Sequence, residues 1–306
     1  MNSLSPQVAP YLLAERPNFR WFHVEDVQGS ALSDLAREYG LHELAVEDCR
    51  TPGTRAKLEE YENHLFLVIN TIHFEPDQCE CWFGEFEVFL CKDLLISVHN
   101  GPSRTAAAVR PRLADDERLA HPGRLLYEIL RTIVGRYLPV LDSIEERIDV
   151  LEDRAYEKPS PQLLSEIFSV KRALINYRRV ATTMREVAGH LLNRSEPWLR
   201  SYHHYFRDIY DQIVRALDFA DTYRDILTGV LDVHLSATAN RTNDIMKVLT
   251  VYATLATPFL LVTSFYGMNF DFLPFIHHPL GPLIITGTMF VTSFGLLWYF
   301  RRKGWI

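Results

Sequence analysis

At the end of the first of two uncharged stretches near its C-terminus the chain reads Tyr266-Gly267-Met268-Asn269-Phe270, a glycine and a carboxamide set into an apolar run. An amide oxygen is a neutral acceptor, able to hydrogen-bond the water around a cation without the grip of a carboxylate. Upstream, Asn243, Met246, Leu249, Ala253, Thr257, Leu260, Ser264 and Gly267 follow one another at steps of three and four, which keeps them on one helical face. That face is small or weakly polar beyond Ala253, narrow and apolar at Met246 and Leu249, and ends in the Asn243 amide. The other sides carry bulky Val248, Tyr252, Phe259, Leu261 and Phe265, suited to lipid or to a second helix.

Small residues on one face also serve plain helix packing. Two helices of one chain cannot enclose a pathway, so a pore needs several copies around an axis. Arranged so, Gly267 lets backbones approach and bend, and Asn269 sets one neutral amide per chain around the axis. Met246 and Leu249 form a constriction that dewets, with Asn243 as a lower polar ring. Mg²⁺ sheds water reluctantly, and a ring of neutral acceptors holds such an ion by its hydration shell, selectively but weakly, as permeation requires.

The surrounding composition decides where such a face would lie. No side chain is charged from Val248 to Phe270, nor from Phe272 to Phe300 apart from two histidines. Each stretch exceeds the roughly 20 residues that cross about 30 Å of hydrocarbon. The turn between them has neither Lys nor Arg, whereas Lys247 precedes the first and Arg301, Arg302 and Lys303 follow the second. Basic residues mark the cytosolic side, so both termini are expected in the cytosol, the turn outside, and the basic residues as a collar at the inner mouth. The competing reading is a buried helical hairpin in a soluble protein.

The 306 residues carry a net charge of −7, without the clustered basic face of a nucleic-acid binder. All four cysteines, Cys49, Cys79, Cys81 and Cys91, fall in the first third, with no secretory leader pattern before them, which predicts reduced thiols in the cytosol. Cys79 and Cys81 near His73 lack zinc-ligand spacing and read as strand thiols. His42, His64, His99, His203 and His204 read as surface or core histidines. No phosphate-cradling loop and no catalytic constellation is seen, so neither an enzyme nor an organic cofactor is expected.

Alternation and β-branched residues in "HLFLVINTIHF", "WFGEFEVFL" and "DLLISVHN" predict strands, and "SALSDLAREYG" a helix opened by a capping serine and closed at Gly40. After Pro122 apolar residues recur at helical intervals, with a kink expected at Pro139. "KPSP" breaks the pattern, Ser160 serving as N-cap and Pro161 as first helical residue of a second helix to about Asn193. The acids Asp142, Glu145, Glu146, Asp149, Glu152 and Asp153 either attract cations or form a solvated face, the commoner case.

No strong stop follows between about Glu196 and Phe265, which predicts one helix of roughly 105 Å, some 75 Å of it outside the bilayer. Its stripe of Ile209, Ile213, Leu217, Ile226 and Leu231 needs a partner surface. The expected division is an α/β domain over 1–121, a helical hairpin over 122–194, a stalk over 195–247, a first span over 248–270, an outer loop over 271–278, a second span over 279–300 and a basic tail over 301–306.

"YGMNF", one short loop, one further span and the tail "RRKGWI" closely resemble the CorA-type magnesium/cobalt transport proteins. The segment "YFRDIYDQIVRALDFADTYRDILTGVLDVHLSATANRTNDIMKVLTVYATLATPF" resembles that family's stalk and first span. "LAVEDC" and "EEYENHLFLVIN" resemble its N-terminal domain, and "SIEERIDVLEDRAYEKPS" its helical hairpin. The resemblance covers essentially the whole chain.

It implies an α+β cytosolic domain, long helices and a two-helix transmembrane hairpin, assembled as a funnel-shaped homopentamer with a central pore in the inner cell membrane. It implies Gly267, Met268 and Asn269 as a selectivity ring, Asn243, Met246 and Leu249 as pore and gate positions, and Mg²⁺ (with Co²⁺ or Ni²⁺) as cargo and regulatory ligand. Asp208 matches an acid of a cytosolic inter-subunit sensing site whose occupation closes the pore.

Three departures stand out. No partner acid follows the last strand, where Ser103 or Arg104 stands instead, so Arg104 is expected to pair with Asp208 across the interface. The outer loop, usually "MPEL", reads "LPFI", with Phe275 where the glutamate stands and Asp271 as the only loop acid, while His277 and His278 would make the mouth pH-dependent. Thr257 and Leu260 exchange the usual apolar and hydroxyl pore positions. The alternatives are transport of zinc, moved by a related branch whose motif generally has another middle residue, and a membrane-anchored divalent-ion sensor that does not conduct.

Overall fold

The computed structural model describes residues 8–17, 19–76, 79–116, 119–157, 160–194, 196–269, 273–275 and 278–305. The chain divides into two compact units, Met1–Leu231 and Asp232–Ile306.

The first unit is built on one mixed sheet. Its strands are β1 (Leu12–Arg16), β2 (Phe19–Val24), β3 (Lys57–Glu60), β4 (Leu65–Glu75), β5 (Glu80–Leu90) and β6 (Leu94–Val98), in the order β1-β2-β6-β5-β4-β3. Only β2 and β6 pair in parallel, the other neighbours being antiparallel. The three apolar runs singled out in the sequence are β4, β5 and β6. β4 is buried along most of its length because both faces are covered, and so reads as an apolar run with little alternation.

Alternate strand residues divide the interior in two. Phe22, Val24, Phe66, Val68, Phe89, Ile96 and Val98 pack with α1 (Ser30–Tyr39) and α2 (Glu43–Arg50). Trp21, Leu67, Ile69, Phe86, Val88 and Leu95 pack with α3 (Arg104–Asp115), α4 (Pro122–Val134), α5 (Tyr137–Glu157), α6 (Pro161–Leu192), α7 (Pro197–Arg200) and the first half of α8 (His203–Tyr266).

Four local expectations change. The serine opening α1 is its first residue, not its cap: Gly29 is the N-cap, and Asp26 Oδ1 accepts from the N–H groups of Gln28 and Gly29, each at 3.1 Å. Gly40 closes the helix in the left-handed region (φ 66°), as expected. The long run after Pro122 breaks at Gly135-Arg136, not Pro139, which lies in the first turn of α5 where a missing N–H costs no hydrogen bond. The third change concerns the stalk helix, which starts at His203, after α7.

The reason is tertiary: Tyr202 packs so closely on Gly123 of α4 that a Cβ there would meet its ring at 2.7 Å. Finally, Ile226 is exposed. The buried stripe is Phe206, Ile209, Ile213, Leu217, Tyr223, Leu227 and Val230, covered within this unit. Tyr223 Oη donates to Glu145 Oε2 of α5 (2.7 Å), and Arg178 of α6 pairs with Asp221 (2.8 Å). As read from the sequence, Ser160 Oγ caps α6 by accepting from the Leu163 N–H (3.2 Å), the six acids of α5 are exposed, and the four thiols are free.

Glu87 on β5 is an exception to the apolar interior, 4 % exposed beneath α2. Burial pushes its carboxyl up to about 8, and the neighbouring Glu85 and Asp48 carboxylates add to the rise. The fold holds this proton more tightly than the unfolded chain does, so stability is greatest below the ordinary carboxylate range and falls as pH rises towards 8. Glu87→Gln, which cannot ionise, is expected to unfold at higher temperature than the parent at pH 8 to 9, with the difference vanishing near pH 4. Thermal unfolding followed by circular dichroism across that range checks it.

Candidate ion pathway

The second unit contains the C-terminal part of α8 and α9 (Gly281–Arg302), two helices long and apolar enough to cross a membrane. They form an antiparallel hairpin in which Ser293 Oγ donates to the Leu255 carbonyl (3.3 Å) and Phe290 meets Phe259 edge-on at 5.5 Å. Over 251–269 of the chain, Val251, Thr254, Leu255, Pro258, Phe259, Val262 and Tyr266 are the partly or fully buried positions.

The other sides are open. Ala253, Thr257, Leu260, Ser264 and Gly267 are exposed, with Asn243, Met246 and Leu249 below them. The pairing of α8 with α9 therefore leaves the whole face picked out by spacing uncovered. Of the bulky set, Phe259 turns to α9, while Val248, Tyr252, Leu261 and Phe265 are exposed. The Thr257 hydroxyl donates back to the Ala253 carbonyl (2.8 Å), which leaves an oxygen lone pair facing outward.

α8 ends at Tyr266, and Gly267 N–H still reaches the Thr263 carbonyl (2.9 Å). A Cβ on Gly267 would stand 3.0 Å from that oxygen, so glycine suits the close approach. Met268 and Asn269 follow, both exposed, and the Asn269 amide has no hydrogen-bond partner among the described residues. Tyr266 Oη donates to the Pro274 carbonyl (3.0 Å), tying the loop to the helix end. Phe275, at the position of the expected glutamate, is in the left-handed region (φ 63°) and exposed. His278 Nδ1 accepts from the Leu280 N–H (3.2 Å), so that nitrogen is engaged in the turn before α9. Asp271 and His277 lie outside the described residues.

At the opposite end, Asn243, Met246, Lys247 and Trp305 line a cavity of about 550 Å³. Lys247 pairs with Asp244 (2.9 Å). Arg302 lies over the Trp298 ring (5.5 Å) and Lys303 over Tyr299 (5.8 Å), so two of the three tail cations are drawn back along α9, while Arg301 belongs to its last turn.

In the first unit Asp208 is exposed and accepts from Gln212 Nε2 (2.8 Å), with Tyr127 Oη at 3.5 Å. Ser103 is buried and caps α3 through the Ala106 N–H (3.2 Å), which removes it as a ligand, and Arg104 is exposed at the start of that helix. Among the described residues no three His, Cys, Asp or Glu side chains gather as a metal site within one chain. Neither the Tyr127 and Gln212 contacts to Asp208 nor the aromatic clamps on the tail was anticipated. The clamps had a signal in the i, i+4 spacing of Trp298 to Arg302 and Tyr299 to Lys303.

An α/β unit followed by a hairpin of two membrane-length helices is the make-up of a two-span membrane protein. Residues 17–302 match the model of the family described as CorA-like Mg²⁺ transporter protein, and the chain belongs to that family. It is 29 % identical over 304 residues to the cobalt/magnesium transport protein CorA of Thermotoga maritima, spanning 98 % of this chain and 86 % of the relative. It is 25 % identical to the protein of the same name from Methanocaldococcus jannaschii over 94 % and 91 %. The complete structure of the Methanocaldococcus jannaschii CorA magnesium transporter superposes with a TM-score of 0.82 at 24 % identity, covering 96 % of this chain and 93 % of that one.

Proposed function

We propose that this protein conducts divalent cations, Mg²⁺ foremost, into the cell through a pore formed by several copies of α8. The observation that carries the reading is the uncovered face from Asn243 to Gly267, followed by the Asn269 amide, which has no partner among the described residues. Copies of that face around an axis, five by resemblance, give a polar amide ring outside, a wall of small residues, and an apolar constriction at Met246 and Leu249. The GMN triplet holds the ion by its water. The membrane potential contributes about 2.3 kcal/mol per charge per 100 mV, roughly 4.6 kcal/mol for a doubly charged ion, so entry needs no bound nucleotide as fuel. Both termini lie in the cytosol, where the basic tail flanks the inner mouth.

Purified protein in vesicles is expected to pass Mg²⁺ under an inside-negative potential, faster than Zn²⁺ at matched potential, in an oligomer whose mass is a multiple of the protomer's. Preferential Zn²⁺ flux would move the assignment to the zinc branch, and no divalent flux at all would leave a membrane-anchored sensor.

Closure by intracellular divalent ion is weakened at the surface around Asp208, where Arg104 of a neighbouring copy stands in for the missing acid and puts a permanent ion pair in place of a metal bridge. Asp208→Ala is then expected to loosen assembly and to change inhibition of flux by internal Mg²⁺. If both stay as in the parent, the pair does not form.

A further inference from the structure

The end of α6, the short α7 and the start of α8 enclose an open cavity of about 750 Å³ within the first unit. Arg200, His203, His204 and Arg207 line it, together with Asn193 and Tyr210, and among the described residues no carboxylate does. This is unusual in a chain of net charge −7. Elsewhere in the unit clustered cations are matched: Arg112, Arg124 and Arg131 converge on the buried Glu128 carboxylate, and Arg194, beside the cavity, pairs with Glu60 and Glu196. Among the described residues the side chains of Arg200, Arg207 and His204 have no ion pair or hydrogen bond.

The backbone adds to the same field. The first α8 amides to find acceptors are those of Tyr205 and Phe206, on the Tyr202 carbonyl, while the N–H groups of His203 and His204 have no acceptor among the described residues. They stand at the start of a 64-residue helix, where the partial positive charge of the helix is concentrated. His203 Nε2 meets the Arg194 carbonyl at 2.9 Å. A carbonyl only accepts, so Nε2 carries the proton and the ring is held in place.

Two guanidinium forks and two imidazoles around a space large enough for a small-molecule ligand, at the start of a helix whose first amides have no acceptor among the described residues, form a recognition site for phosphoryl oxygens. We propose that this cavity binds a polyphosphate group, carried by inorganic polyphosphate or by a nucleoside triphosphate. It shares no residue with the candidate ion pathway, so it stands or falls independently of the transport reading.

The test is calorimetric titration of full-length protein in detergent, at low ionic strength and without divalent ions, with sodium tripolyphosphate in one arm and ATP in the other. Both are expected to bind, more weakly as salt is added. The double variant Arg200→Ala/Arg207→Ala should lose at least tenfold in affinity for each, and Arg200→Lys/Arg207→Lys should recover part of it. Equal affinities in the two arms assign recognition to the phosphates alone. Tighter ATP binding that Tyr210→Ala abolishes places the base against that ring. Circular dichroism and oligomer mass confirm the fold of each variant, and if the double variant does not assemble, His204→Gln is read instead for a several-fold loss. No binding of either probe at millimolar concentration, or binding unchanged in the variants, overturns the proposal.

Discussion

Replacing Asn269 with alanine is expected to abolish most Mg²⁺ flux while leaving the assembly intact. The amide is exposed, carries no partner among the described residues, and lies beyond the end of α8, so the fold loses nothing with it. What is lost is one neutral acceptor per copy for the water around an arriving ion. A net hydrogen bond is worth about 1 kcal/mol. Losing the equivalent of two or three around the ring corresponds to a roughly 100-fold fall, at about 1.4 kcal/mol per decade. Vesicle flux at fixed potential, with the oligomer's mass measured beside it, separates this from misassembly. A variant retaining full flux would show that the outer amide does not select the ion.

The second large effect concerns stability. Tyr137 is fully buried at the start of α5, where its hydroxyl donates to the Asn70 carbonyl of β4 (2.7 Å) and its own carbonyl accepts from Tyr177 Oη of α6 (3.0 Å). One residue, through its side chain and its main chain, thus joins the sheet to both long helices of the hairpin. Tyr137→Ala removes that ring and leaves a cavity, at a cost of about 3 to 5 kcal/mol. Tyr137→Phe keeps the ring and leaves the Asn70 carbonyl without this donor, at about 1 to 3 kcal/mol. For a unit of this size the alanine variant should unfold roughly 10 °C lower. Thermal unfolding of the full-length protein checks the order of the three forms, and equal midpoints would remove Tyr137 from its structural role.

Much of this was legible in the sequence because its signals are periodic and strong. β4, β5 and β6 announced themselves through β-branched and aromatic runs, Ser160-Pro161 through capping chemistry, and the candidate pathway through steps of three and four. The missed elements have weak local signals. β3 reads Lys-Leu-Glu-Glu and is a strand only because it lines up along β4. The start of α8 is set by Tyr202 pressing on Gly123, a contact between residues far apart in the chain. Nor could spacing tell which side of α8 meets α9. Val251, Leu255, Pro258 and Val262 repeat at the same steps as the open face, and only Ser293 and Phe290 decide between them.

From Thr238 through Thr250 every residue of α8 is exposed, Ile245, Met246, Val248 and Leu249 included. Helices owe most of their persistence in water to a packed side, and here the solitary chain supplies none. Under the proposed assembly a lone protomer is a species in search of company: how much of this segment stays wound would then depend on how many protomers share the membrane, by mass action.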